Sequence, residues 1–174
     1  MLKQILKNLC SRRNAVNISA EAVSAEQELL RSLEGLRDDI ESIYGRSLRI
    51  RQVDAGSCNA CEWECTALSN PVYDIQRFGI DFVASPRHAD MLLVTGPVSR
   101  QMELALIKTY EAVPDPKFVV ACGDCAFNGG VYSGSYAVTG GVSRVLDVDL
   151  VIPGCPPSPI KIITSLLAFL KQRS

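Results

Sequence analysis

The hydrophobic positions of the first 45 residues follow a helical period. Leucine and isoleucine recur every three or four positions in residues 1–13 and again in residues 26–44, with polar or charged residues between them. This spacing predicts two amphipathic helices, joined by the small and polar residues 14–25. Gly45 then marks the end of the second helix, because glycine readily adopts the backbone conformation that closes helices.

After Ser47 the pattern changes to short apolar runs that alternate with helical stretches. Strands are predicted at Leu48–Val53, Met91–Thr95, Phe118–Ala121 and Val148–Ile152, and helices at Trp63–Leu68, Arg100–Glu111 and Pro159–Gln172. Ser158 is the predicted N-cap of the last helix. The alternation predicts an α/β fold with a mainly parallel sheet and helices on both faces. We therefore expect an N-terminal helical extension, residues 1–45, and an α/β domain, residues 46–174.

Composition narrows the class of protein. A chain of 174 residues that is 47% hydrophobic and 21% charged has enough apolar residues for a folded core and is not a disordered chain. Its formal net charge of −1 argues against a nucleic-acid-binding protein. No apolar run approaches the roughly 20 residues of a membrane-spanning helix, and no secretory signal is visible. We expect an intracellular protein that is not itself an integral membrane protein.

The cysteines are the main candidates for chemistry. There are seven, an odd number that disfavours a disulfide framework, and only one histidine, so a metal site here would consist mostly of thiolates. Cys58 and Cys61 follow the first predicted strand. Cys122 and Cys125 follow the third, and Cys155 follows the fourth. Because the carboxyl ends of parallel strands meet at one edge of a sheet, we expect these thiols to lie together.

Several cysteine functions are compatible with this pattern. Two CxxC pairs suggest structural zinc, but 60 residues separate them here, whereas zinc ribbons have roughly 15–20. A thioredoxin-like dithiol would use only one pair, and buried inert cysteine is the simplest interpretation for Cys10. An iron–sulfur cluster fits better, since it needs four thiolates and backbone N–H groups near the sulfides.

The glycines near the cysteines support the iron–sulfur interpretation. Those within a few residues of a candidate ligand are Gly56, Gly123, Gly129, Gly130 and Gly154. The Cys155–Pro156 pair is also similar to the Cys-Pro that closes ferredoxin motifs. The glycine-rich residues 129–141 contain neither a Walker motif nor GxGxxG, which argues against nucleotide binding. The sequence leaves a flavin open, although the cysteines occupy the edge that it would use.

Five segments, in order, carry a resemblance to a known family: Gly56–Glu64 (GSCNACEWE), Asn70–Ile80 (NPVYDIQRFGI), Ser85–Val98 (SPRHADMLLVTGPV), Ala121–Gly130 (ACGDCAFNGG) and Asp149–Pro159 (DLVIPGCPPSP). Together they resemble the cluster-bearing small subunit shared by membrane-bound NiFe hydrogenases and respiratory complex I. The resemblance implies a flavodoxin-like fold and one 4Fe-4S cluster that faces a large catalytic subunit. The ligands carried over by motif are Cys58, Cys61, Cys125 and Cys155.

Two cysteines fall outside the family's ligand pattern. Cys65 has no counterpart among the ligands, and neither has Cys122. Spacing alone does not separate Cys122 from Cys125, so the exclusion of Cys122 depends on the motif.

The resemblance also implies a function. The chain would be a non-catalytic electron-relay subunit of an oxidoreductase complex, with partners that include a large hydrogenase-like subunit, a ferredoxin-like iron–sulfur subunit and integral membrane subunits. Complex I subunits typically have adjacent cysteines and an SPRQ sequence where this chain has CxxC and SPRH. These differences favour the energy-converting or formate-hydrogenlyase-like hydrogenases, peripheral on the cytoplasmic side of the membrane. The alternatives are a complex I-type subunit that delivers electrons to quinone and a zinc-stabilised, non-redox binding module.

Three further residues are candidates for tuning the cluster or for proton coupling. Glu64, three positions after Cys61, matches an acidic position of the family, or it caps the helix that begins near it. His88 could exchange protons near neutral pH, although a lone histidine is commonly a hydrogen-bonded structural residue. Arg87 could bind a carboxylate at a subunit interface, or it could simply be solvated.

Overall fold

The computed structural model describes residues 35, 37, 38, 40–42 and 44–172. The described positions from 35 to 42 and position 44 are helical, as predicted for the end of the helix 26–44. The rest of the predicted N-terminal extension lies outside the described residues, as does Cys10, so the domain division at residue 45 stays a prediction. Within the described part of the chain, no helix is long and apolar enough to cross a membrane.

Five parallel strands form one sheet. They are β1 (Leu48–Asp54), β2 (Ile80–Phe82), β3 (Met91–Thr95), β4 (Phe118–Cys122) and β5 (Leu150–Ile152). Their order across the sheet is β2-β1-β3-β4-β5, the order of flavodoxin-like folds, so the predicted fold class is confirmed. Strand β2 is not predicted from the sequence; its three residues pair in register with residues 48–50 of β1.

Four helices follow strands of the sheet. They are α1 (Ala60–Ala67), α2 (Arg100–Ala112), α3 (Asp124–Asn128) and α4 (Pro159–Lys171). The Ser158 side chain accepts a hydrogen bond from the Lys161 N–H, which confirms the predicted N-cap of α4. The Ser99 side chain caps α2 in the same way, by accepting from the Met102 N–H. The short helix α3 is not predicted from the sequence.

Helices cover both faces of the sheet. Leu106 of α2 is fully buried in a hydrophobic cluster with Val94 of β3 and Ala121 of β4. On the other side, α4 packs against α1 and β5 and buries residues such as Ile162 and Leu166. Each such aliphatic side chain contributes about 1.5–3 kcal/mol when it is fully buried, so the two layers hold the strand ends in fixed relative positions.

A buried carboxylate fixes the amino end of β3. Asp90 accepts hydrogen bonds from Arg46 Nη1 and Nη2 at 2.8 and 2.7 Å and from the Arg49 N–H at 3.0 Å. The hydrogen bond to Asp90 also raises the pKa of Arg46. This ion pair therefore joins the segment before β1 to the start of β3.

Candidate metal centre

Four cysteine thiols line one small cleft at the carboxyl edge of the sheet. Cys58 lies in the turn after β1 and Cys61 in the first turn of α1. Cys125 lies on α3, and Cys155 follows β5. They are the four residues that the resemblance implies as ligands, and the fold brings them together from three separate turns. The cleft is lined by Ser57, Cys58, Ala60, Cys61, Gly96, Pro97, Cys125, Tyr132, Gly154, Cys155 and Pro156.

Hydrogen bonds from backbone N–H groups fix two of these turns to each other. The Asp124 N–H donates to the Gly154 carbonyl, and the Gly154 N–H donates to the Asp124 carboxylate, both at 2.9 Å. The Gly123 N–H also donates to the Ile152 carbonyl at 2.8 Å. The turns that present Cys125 and Cys155 are thus held in register.

The turn after β1 is held by a side chain. The Asp54 carboxylate accepts hydrogen bonds from the backbone N–H groups of Gly56 and Ser57, each at 2.8 Å. The Ser99 N–H, at the start of α2, donates to the Ala55 carbonyl at 2.7 Å. The turn that precedes Cys58 is therefore anchored to the start of α2.

Two glycines let the backbone approach the thiols closely. A Cβ at Gly123 would lie 2.8 Å from the Cys61 sulfur, and one at Gly130 would lie 2.9 Å from the Cys125 sulfur. Both glycines have positive φ angles, +92° and +48°. Backbone rather than side chains therefore borders these sulfurs, which is the environment that an iron–sulfur cluster uses for its hydrogen bonds.

The negative charge of four neighbouring thiolates in the cleft has to be compensated by a positively charged group. Burial, followed by the charge of neighbouring Cys155, raises the pKa of Cys125, and Cys58 and Cys61 act in the same direction. The Val131 N–H donates to the Cys125 sulfur and opposes these effects only in part. Four thiolates so close together repel one another unless a cationic metal group compensates their charge.

The donor set of the cleft is all sulfur. Cysteine thiolates are the usual ligands of iron–sulfur clusters, and zinc can also be held by four of them. Among the residues that the structure describes, no group of three or more Cys, His, Asp or Glu side chains forms a site for a single metal ion.

The two remaining described cysteines lie behind the cleft. Cys65 and Cys122 are buried and do not line it, and neither forms a disulfide. Cys122 donates a hydrogen bond from its thiol to Cys61, which lowers the pKa of Cys61. The same bond, a second one with Cys65 and burial raise the pKa of Cys122. The structure thus distinguishes Cys122 from Cys125 by their surroundings, whereas their spacing in the sequence does not distinguish them.

The other predicted candidates are not in the cleft. Glu64 is half-buried on α1 and lies near enough to Cys61 to raise its pKa, although less than other groups do. Arg87 and His88 are exposed on a 3-10 turn, Pro86–His88, that leads to the amino end of β3, whereas the cysteines follow carboxyl ends. Neither of these two side chains lines the cleft.

Part of the cleft is not predicted from the sequence. Gly96 and Pro97 line it from the turn after β3, and Tyr132 lines it from the segment after α3. A signal for the first two was present, because the turn after β3 must lie at the same sheet edge as the cysteine-bearing turns. Nothing in the spacing pointed to Tyr132.

Comparison with known proteins gives a family for most of this domain. Residues 58–169 match the model of a family described as NADH ubiquinone oxidoreductase, 20 kDa subunit.

Three curated relatives are similar over most of the chain. Formate hydrogenlyase subunit 7 of Escherichia coli is 38% identical over 88% of this chain, which spans only 58% of that relative. The probable membrane-bound hydrogenase subunit mbhJ of Pyrococcus furiosus is 44% identical over 74% of this chain and 77% of its own length. A subunit of the NADH-quinone oxidoreductase of Bacteroides thetaiotaomicron is 45% identical over 72% of this chain and 63% of its own length.

A solved structure shares the fold. A chain of the membrane-bound sulfane sulfur reductase, an archaeal respiratory membrane complex, superposes with a TM-score of 0.63 at 32% identity. The match covers 83% of this chain and 77% of the other.

Proposed function

The chain belongs to the family of the 20 kDa subunit of NADH ubiquinone oxidoreductase, and we propose that it is an electron-transfer subunit with one 4Fe-4S cluster in its cleft. The proposed ligands are Cys58, Cys61, Cys125 and Cys155. The observation that carries the proposal is the convergence of these thiols, from three turns, in a cleft bordered by backbone. When bound, such a cluster accepts and releases one electron at a time.

The residues of the chain would position this group and limit its contact with water. Cys61 and Cys125 are buried, whereas Cys58 and Cys155 are exposed, so the cleft extends from the interior to the surface. Pro97, Pro156 and Tyr132 supply apolar surface around it. A cluster held there would lie close enough to the surface for a partner to exchange electrons with it.

The proposed partner at this surface is a large catalytic subunit. Tyr132 lines the cleft, and it and other apolar side chains of residues 127–136 are exposed, with Val131 at 80% and Tyr136 at 89%, together with Phe127. We call these four residues the docking surface. Exposed apolar patches of this kind are typical of protein interfaces. The family includes subunits of hydrogenase and NADH-quinone oxidoreductase complexes, which supports a multisubunit oxidoreductase as the setting.

We favour a membrane-bound hydrogenase-type complex with a ferredoxin-like subunit and membrane subunits, located peripherally on the cytoplasmic side. The CxxC spacing of Cys58 and Cys61 supports this choice. Sequence identity alone does not separate it from a complex I-type subunit that passes electrons to quinone, because the identities of 44% and 45% are nearly equal. The sequence of the large subunit would decide, since only a hydrogenase needs cysteine pairs that hold nickel and iron.

Cysteine replacement tests the ligand set. Replacing any of the four ligands with serine should abolish or severely reduce the iron and sulfide content, because an alkoxide is a hard, basic donor that suits a sulfide cluster poorly. The changes Cys10→Ser, Cys65→Ser and Cys122→Ser are matched controls and should keep the cluster. Measurements are iron, zinc and sulfide per chain and EPR spectra of the reduced, anaerobically purified complex.

Two results would contradict the proposal. Zinc without iron in the unaltered protein would favour the non-redox binding module. A cluster that survives Cys125→Ser but is lost in Cys122→Ser would mean that the ligand assignment is wrong.

A further inference from the structure

A second cavity lies beside β1, at the β2 side of the sheet. Its volume is about 530 Å³, and it is lined by Arg51, Gln52 and Asp54 of β1, by residues 82–84 at the end of β2 and by Thr66 of α1, among others. It shares no lining residue with the cleft of the four cysteines. The cavity is therefore a separate opening in the surface, to which the proposed cluster gives no role.

The cavity lies where β1 extends beyond the neighbouring strand. Strand β1 has seven residues and β2 only three, and their pairing ends at Ile50. Just after β2, the Val83 N–H donates to the Ile50 carbonyl at 2.9 Å. Backbone groups of alternate residues in a strand face the same side, so those of Gln52 and Asp54 face the side of β2, past its end. An edge of this kind can pair with a strand of another chain.

The cavity also holds a positive charge without an acceptor. The Nε of Arg51 is buried and has no hydrogen-bond partner in the part of the chain that the structure describes. The other charged residue of the lining, Asp54, is already engaged, since its Oδ1 accepts hydrogen bonds from the Gly56 and Ser57 N–H groups. Leaving a buried guanidinium N–H unpaired costs free energy, and a carboxylate is its strongest acceptor. The cavity therefore favours an occupant with an acidic group.

We propose that an extended segment of the large catalytic subunit enters this cavity, pairs with the free edge of β1 and places an aspartate or glutamate against Arg51. This inference rests on the proposed function, to which it adds a second contact with the same partner. The free part of β1, residues 51–54, is about 13 Å long at about 3.3 Å per residue, which is enough for about four residues of a partner strand.

The helix α1 connects this cavity with the cleft. Cys61 lines the cleft, and Cys65, four residues later on α1, lines the cavity. Four residues correspond to about 6 Å along a helix axis. A subunit that covers the cleft therefore needs only a short extension to reach the free edge, which favours the large subunit over a more distant one.

Cross-linking tests the acidic contact. Arg51→Lys keeps the charge, and a water-soluble carbodiimide joins an amine to a carboxylate that touches it. In the assembled complex of this variant, we expect a cross-link from position 51 to an aspartate or glutamate of the large subunit, identified by mass spectrometry. Arg77→Lys is the matched control, because Arg77 is exposed and lies outside the cavity, and it should give no such cross-link.

Hydrogen–deuterium exchange tests the backbone pairing in the unaltered complex. The amides of Gln52 and Asp54 should exchange as slowly as those of β3, which is paired on both sides. This measurement does not depend on whether a variant folds. In addition, Arg51→Gln should weaken binding of the large subunit at least about tenfold, because the acidic group of the partner loses its cation, while the iron content stays unchanged.

The outcomes separate this inference from the proposed function. No cross-link at position 51 would overturn the acidic contact, and fast exchange at Gln52 and Asp54 would overturn the strand pairing, even in a complex with full iron content. A cross-link to another subunit, or a small anion found in the cavity instead, would overturn the choice of the large subunit as occupant. An unaltered complex without iron would instead refute the proposed function.

Discussion

The close approach of Gly123 to the Cys61 sulfur makes a sharp prediction. In Gly123→Ala the new Cβ would lie 2.8 Å from that sulfur, whereas unstrained contacts are about 3.5–4.0 Å. The Cys61 thiol would have to retreat by about 1 Å to reach an unstrained contact distance. Metal–ligand distances tolerate only about 0.2 Å, so we expect this variant to lose most of its iron.

The chain offers a control for the backbone. Gly134 has a φ of +83°, close to the +92° of Gly123, but a Cβ at Gly134 would meet nothing within 4 Å. Gly134→Ala should therefore show only the strain of a positive φ, about 1–3 kcal/mol. The free energy of unfolding of Gly123→Ala should fall by the same amount and by about 1–3 kcal/mol more, because the new methyl group overpacks the site.

The two variants are compared by iron and sulfide per chain and by thermal unfolding. For a chain of this size each kcal/mol corresponds to about 2–4 °C in Tm. We expect normal iron in Gly134→Ala and depleted iron, with a lower Tm, in Gly123→Ala. Equal iron contents and equal Tm values in the two variants would refute the packing argument.

Two other predictions concern stability and assembly. Asp90→Ala should lower the free energy of unfolding by about 1–3 kcal/mol, because it leaves the Arg49 N–H without its side-chain acceptor, whereas the Arg46 side chain, 40% exposed, can return to water. Urea denaturation measures this change, and a loss below about 0.5 kcal/mol would contradict the anchoring role of Asp90. Replacing Val131 and Tyr136 of the docking surface with serine should leave Tm and iron unchanged but reduce co-purification of the large subunit. The control is Leu104→Ser, because Leu104 lies on α2 and is also exposed, at 60%. An equal loss of the large subunit in this control would contradict the assignment of the docking surface.

Much of the fold is predictable from the sequence because its elements are long or strongly apolar. The residues of β3 are all buried, and α4 has both its cap and its apolar side in the sequence. By contrast, β2 and α3 have three and five residues, too few for a periodic signal. The conformation of β2 comes from its pairing with β1, and that of α3 comes from the turn at Gly123.

The candidate site is likewise predictable from the sequence only in part. Strand order and parallel pairing bring Cys58, Cys125 and Cys155 to one edge, and this follows from the sequence once the strands are assigned. The contact of Cys122 with Cys61 does not follow, because it depends on how far α1 lies from the end of β4. Packing distances between elements are set by the whole core, and residue spacing does not encode them.

The two exposed cysteines have a consequence for biogenesis. Cys58 and Cys155 are the exposed members of the set, so the cleft opens to the surface at these two residues. The docking surface adjoins the same opening, through Tyr132. A partner protein bound there would block the access of iron and sulfide to the cleft. With the proposed cluster and docking surface, the metal centre would therefore have to be installed before the partner binds.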